Sequence, residues 1–94
     1  MTVTFHIAYR DGDELTALTA EGAPSLNVHN AAAGALLHLL DVPFDWFGEI
    51  DPQVIFAGID AAGAPDDPVA TSRLDRLRMV AVTATRVGRN VAWD

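Results

Sequence analysis

His6, His29 and His38 are the only imidazoles among the 94 residues of the chain. A metal site built on one helix needs ligands three or four residues apart. His29 and His38 stand nine apart, and His29 precedes the helical segment. His6 falls on the polar side of an alternating segment, where an acid distant in sequence could meet it. One reading is therefore a metal- or ligand-dependent enzyme that uses His6 or His29 with acidic residues. The acids gather at Asp11/Asp13/Glu14 and at Asp66/Asp67. The first group begins like a calcium loop, but Leu15 and Ala17 occupy the next ligand positions. No bidentate glutamate closes a twelve-residue loop there. Ser25 and Ser72 are the only serines, and neither sits in a Gly-x-Ser-x-Gly turn. The glycines are scattered and lysine is absent, so a phosphate-cradling Gly-Lys loop is excluded. The absence of cysteine excludes a disulfide framework, a thiolate zinc site and a cysteine nucleophile. The sequence thus offers no catalytic residue, no metal ligand set and no cofactor.

Binding chemistry has more material. Phe44, Trp46 and Phe47 put three large rings within four residues, on a connector between helices. They either plug one end of the core or form an anchor patch for a partner or a second copy of the chain. Aromatic residues dominate binding hot spots, and Asp45 and Glu49 would supply the polar rim. The second candidate is the arginine-bearing C-terminal helix. Arg73, Arg76 and Arg86 lie broadly away from its apolar seam, so some of them project outward, and guanidinium groups take phosphate or carboxylate in a bidentate way. That supports a nucleic-acid contact as an alternative. It is opposed by the charge of the rest of the chain.

Thirteen acids oppose six bases, for a net charge of −7. Residues 1–72 hold eleven acids and Arg10, a net of −10. Residues 73–94 hold five arginines against Asp75 and Asp94, a net of +3. An acidic body repels phosphate over a Debye length of about 8–10 Å, so nucleic acid is not the expected partner. The acids are spread through turns and caps, which also argues against imitation of nucleic acid. Arginine as the only base, with sixteen alanines, reads as the codon bias of a GC-rich genome. An actinobacterium or a phage infecting one is the simplest source, ahead of a salt-loving archaeon.

These side chains need a scaffold. Half of the residues are apolar and 20% are charged, which suits one folded domain spanning residues 1–94. Apolar runs are too short to span a bilayer. No basic region followed by an apolar stretch opens the chain, so no signal peptide is expected. A cytoplasmic protein without membrane contact follows. Residues 2–9 alternate, with Val3, Phe5, Ile7 and Tyr9 on one side, and predict a half-buried strand. Asp11-Gly12 is a turn signal, and residues 14–20 form the second strand of an N-terminal hairpin. Residues 25–28 are a short extended piece.

Asn30 is the predicted cap of a helix over 31–40, with Ala33, Leu36, Leu37 and Leu40 as its apolar stripe and Gly34 offering close packing. Asp51-Pro52 starts a second helix, with Ile55, Ile59 and Ala62 at helical spacing. Residues 63–68 read as the one long loop, because two prolines and two acids disfavour a regular element. Ser72 is the predicted cap of the last helix, roughly 25 Å long at 1.5 Å per residue. Its seam is Leu74, Leu77, Ala81, Ala84 and Gly88, widened by Val80 and Val87. Residues 90–93 return as a strand beside the first. The expected fold is α+β: a small antiparallel sheet of the N-terminal hairpin, the short strand and the C-terminal strand, with three helices on one face.

Two stretches carry a resemblance. One is Leu26-Asn27-Val28-x-Asn30, followed by alanines and Leu36-Leu37-x-x-Leu40. The other is Arg73-Leu74-x-Arg76-Leu77 with the ending Gly88-Arg89-x-Val91-x-Trp93, and Gly48-Glu49 lies between them. Over residues 25–93 the chain resembles a group of short uncharacterised proteins of actinobacteria and their phages. The resemblance implies the same source as the composition and similar helix boundaries. It implies no activity and no catalytic residue. The expected function is therefore that of a small non-enzymatic accessory protein that binds a protein partner or itself.

Overall fold

A computed structural model describes residues 2–8, 24–43, 45–63 and 65–94. Strand β1 runs Thr2–Ile7, β2 Leu26–His29, β3 Gly48–Ile50 and β4 Val91–Trp93. Helix α1 runs Asn30–Leu39, α2 Pro52–Ala62 and α3 Pro68–Val87. The four strands form one antiparallel sheet in the order β2-β1-β4-β3. The fold is α+β, with the helices packed on the sheet.

Alternation decides which face is covered. Val3, Phe5, Ile7, Leu26, Val28, Ile50, Val91 and Trp93 are all buried. Registers Phe5↔Trp93, Ile7↔Val91, Ile50↔Val91 and Val3↔Val28 put them on one face. The core there is completed by Leu36 and Leu37 of α1, Ile55 and Ile59 of α2, and Leu74, Leu77, Val80, Ala81 and Ala84 of α3. The other face carries Thr2, Thr4, His6, Asn27, His29 and Glu49, none of them buried. A single-residue slip would exchange the two sets, so burial of the apolar set fixes the register. The last strand pairs with the first as expected. Reciprocal bonds between Thr4 and Asp94, with N···O distances of 2.9 and 3.2 Å, extend that ladder to the final residue. The second arm of the expected hairpin, residues 14–20, and the Asp11-Gly12 turn lie outside the described residues.

Helix ends follow capping chemistry. Asp51 precedes α2, its Oδ1 accepts from the Gln53 amide at 2.8 Å, and Pro52 needs no donor partner at the first helical position. Asp67-Pro68 repeats that arrangement before α3, with Asp67 Oδ1 accepting from the Val69 amide at 3.0 Å. Helix α3 therefore begins at Pro68 and not after Ser72. Its 20 residues span about 30 Å. Asn30 is the first helical residue of α1, not its cap; the cap position is His29, and Asn30 Oδ1 accepts from the next amide, Ala31, at 3.0 Å.

The ends of α1 and α3 share one geometry. Arg89 N donates to Ala84 O at 2.8 Å and Gly88 N to Thr85 O at 3.2 Å, around a left-handed Gly88. Val42 N donates to Leu37 O at 2.8 Å and Asp41 N to His38 O at 3.0 Å, with Asp41 at φ 59°. Three predicted core positions face outward: Ala62 is exposed, Val87 is 46% exposed, and Gly88, the expected end of the seam, is the exposed cap of α3. The close approach between helices falls at Gly58 of α2. A Cβ there would lie 3.2 Å from Leu40 Cα, so the end of α1 rests directly on the α2 backbone.

Candidate interaction surface

Strand β3 has no alternating pattern of its own, and the segment before it reads in sequence as an aromatic connector only. Its place is set by β4. Gly48 faces Trp93, Glu49 faces Ala92 and Ile50 faces Val91. The Trp93 indole is only 4% exposed and lies against Phe5, with ring centroids 6.0 Å apart. A Cβ on Gly48 would overlap the indole ring, so only glycine lets the ring lie over the β3 backbone. The indole Nε1 then donates to the Asp45 carbonyl at 2.9 Å. A buried indole N–H needs such an acceptor. One side chain thus anchors both β3 and the residues leading into it.

That anchor directs the aromatic residues apart from one another. Trp93 goes into the core, while Trp46 and Phe47 remain 46% and 71% exposed. Asp45 Oδ1 accepts from the Trp46 amide at 2.8 Å, which fixes the backbone where the exposed pair begins. Glu49 Oε1 accepts from Asn90 Nδ2 at 3.0 Å and stays exposed. The two rings are therefore not a plug for the core. They form an apolar pair on the surface with Asp45 and Glu49 at its margin. Phe44 lies outside the described residues.

The arginines do not share one patch. Arg73 is half-buried and lines an apolar groove between α1 and α3. Arg76 is exposed, and its Nε donates to the Ser25 carbonyl at 2.8 Å, tying the start of β2 to α3. Arg86 is exposed thirteen residues after Arg73. At about 100° and 1.5 Å per residue, it is turned about 140° from Arg73 and displaced about 20 Å along the axis.

The histidines are also dispersed. His6 lies on the sheet face opposite the apolar core, where Nδ1 donates to Ile7 O at 3.0 Å and Nε2 lies 3.4 Å from Asp94 Oδ2. His29 and His38 are exposed at the start and on the outer side of α1. Among the described residues, no three His, Asp or Glu side chains converge as a metal-binding group. Asp11, Asp13 and Glu14 lie outside those residues. Among the described residues, no helix is long and apolar enough to cross a membrane.

Sequence reading missed two surfaces. Met79 and Val82 are 53% and 42% exposed, three residues apart on the outer side of α3. Their apolar type suggested nothing about direction, although neither belongs to the Leu74–Leu77–Ala81–Ala84 seam. The other is the groove beside Arg73, lined from α1 by Ala32, Ala35, Leu36 and Leu39, of which only Leu36 belongs to the predicted apolar stripe. No protein family, no curated relative and no solved structure matches this chain.

Proposed function

We propose that this chain is a small non-enzymatic interaction protein that binds a protein partner, or a second copy of itself, through Trp46 and Phe47. One observation carries the reading: two adjacent large rings are held outward at 46% and 71% exposure on a backbone anchored to the core by Trp93. Scattered exposed valines are normal on a soluble surface. An adjacent Trp-Phe pair is different, because it offers concentrated apolar area at low entropy cost and has a polar margin. Asp45 and Glu49 would disfavour acidic partners and orient basic ones. The lysine-free, alanine-rich composition and the resemblance over residues 25–93 support an actinobacterial or phage source, and the proposed setting is the cytoplasm.

The test combines light scattering of the purified chain with copurification from the native cell, each with Trp46→Ala and Phe47→Ala. The expected result is self-association or a copurifying protein that both substitutions weaken. A strict monomer whose copurifying proteins ignore both substitutions would overturn the reading. So would salt-sensitive binding to duplex or single-stranded nucleic acid that needs Arg73, Arg76 and Arg86 but not the rings.

A further inference from the structure

A second surface lies between α1 and α3, apart from Trp46 and Phe47 in sequence and chemistry. Helix α1 and the first turns of α3 enclose a groove of about 140 Å³. Ala32, Leu36 and Leu39 line it from α1, and Pro65 and Leu74 from the other wall. Among the described residues, Arg73 is the one charged residue in the lining. Residues 24–40, which supply β2 and α1, contain no aspartate or glutamate. The helix neighbours of Arg73 at three and four positions are Val69, Ala70, Arg76 and Leu77, so no acid answers it along α3. Asp67 is the nearest acid toward the start of α3, and its carboxylate accepts from the Val69 amide. Among the described residues, no carboxylate lies within ion-pair distance of Arg73. The larger cleft across Pro65, about 280 Å³, differs in carrying Asp60 and Asp75 beside its own Arg78.

A half-buried cation at the edge of an apolar groove is complementary to one kind of ligand. The ligand must bring an anion for the guanidinium and an apolar body for the leucines. Arginine matches a carboxylate through two parallel N–H···O bonds, and those bonds strengthen where water is partly excluded. An apolar space of about 150 Å³ holds one benzene ring. We infer that this groove binds small monocarboxylates with a ring-sized apolar body, the carboxylate on Arg73 and the ring against Leu36, Leu39 and Leu74. A ligand of about ten heavy atoms in an open groove gives affinity of about millimolar order.

Amide chemical-shift titration of the full chain tests this, using phenylacetate, phenylacetamide and acetate as probes. Saturable shifts at Leu36, Leu39, Arg73 and Leu74 are expected with phenylacetate. The neutral amide, which keeps the ring, and acetate, which keeps the charge, should each bind at least about tenfold more weakly. Arg73→Met retains the apolar stem and should lose about tenfold for phenylacetate. Absence of saturable shifts at tens of millimolar phenylacetate would overturn the site. So would equal binding of phenylacetamide, or undiminished binding by a folded Arg73→Met. Should that variant fail to fold, the comparison of the three probes on the unaltered chain decides the matter. Neither result depends on the rings at residues 46 and 47.

Discussion

The indole of Trp93 lies over Gly48, its partner across the β3–β4 ladder, closer than any Cβ would allow. The consequence reaches the surface. The same indole holds the Asp45 carbonyl, and the exposed rings of Trp46 and Phe47 lie between these two attachments. A buried tryptophan thereby sets where two exposed aromatic residues stand.

Gly48→Ala is expected to destabilise the chain by about 1–3 kcal/mol, because the indole must move within a packed core. Urea unfolding measures this. A change below about 0.5 kcal/mol, the range of ordinary surface substitutions, would show that Trp93 does not depend on the missing Cβ.

Phe47→Ser is expected to separate association from stability. The ring is 71% exposed, so its removal should alter unfolding free energy by less than about 0.5 kcal/mol. Thermal or urea unfolding checks it. A loss of several kcal/mol would mean that Phe47 supports the core.

Two helix ends should respond with opposite signs. Gly88 and Asp41 both occupy the left-handed region, at φ 71° and 59°. Gly88→Ala imposes a Cβ there and should cost about 1 kcal/mol. Asp41→Gly relieves the same crowding and should stabilise by about 0.5 kcal/mol, after the added freedom of the unfolded chain is counted. Equal signs in paired unfolding curves would contradict this account of the two caps.

The start of α3 gives a sharper test. Asp67→Ala should cost about 1 kcal/mol, as Asp51→Ala should at α2, while Ser72→Ala should change stability by less than about 0.5 kcal/mol. The reverse order, with Ser72 mattering and Asp67 not, would place the helix start after residue 70.

That contrast also shows how far the sequence could be read. The alternation of Val3, Phe5 and Ile7 identified β1 and its buried face, and Asp51-Pro52 identified α2. Asp67-Pro68 carries the same signal. It is hard to see because Gly63, Pro65 and Asp66 just before it are themselves loop formers. Strand β3 has only three residues and begins with Gly48, so it has no periodicity of its own, and its partner lies more than forty residues away. For the candidate site, residue types marked Trp46 and Phe47, but exposure depends on Trp93 occupying the core position first. The surroundings of Arg73 are illegible for a related reason. Its angle on α3 does not reveal that Ala32, Leu36 and Leu39 of α1 form a groove beside it.

The most direct test of the interaction surface is the native size of the protein in extract from its own cell, compared with that of Phe47→Ser. The account expects the unaltered chain to migrate above the mass of one chain and Phe47→Ser to fall to that mass. Migration of both proteins as single chains, or of both in the same larger assembly, would contradict it.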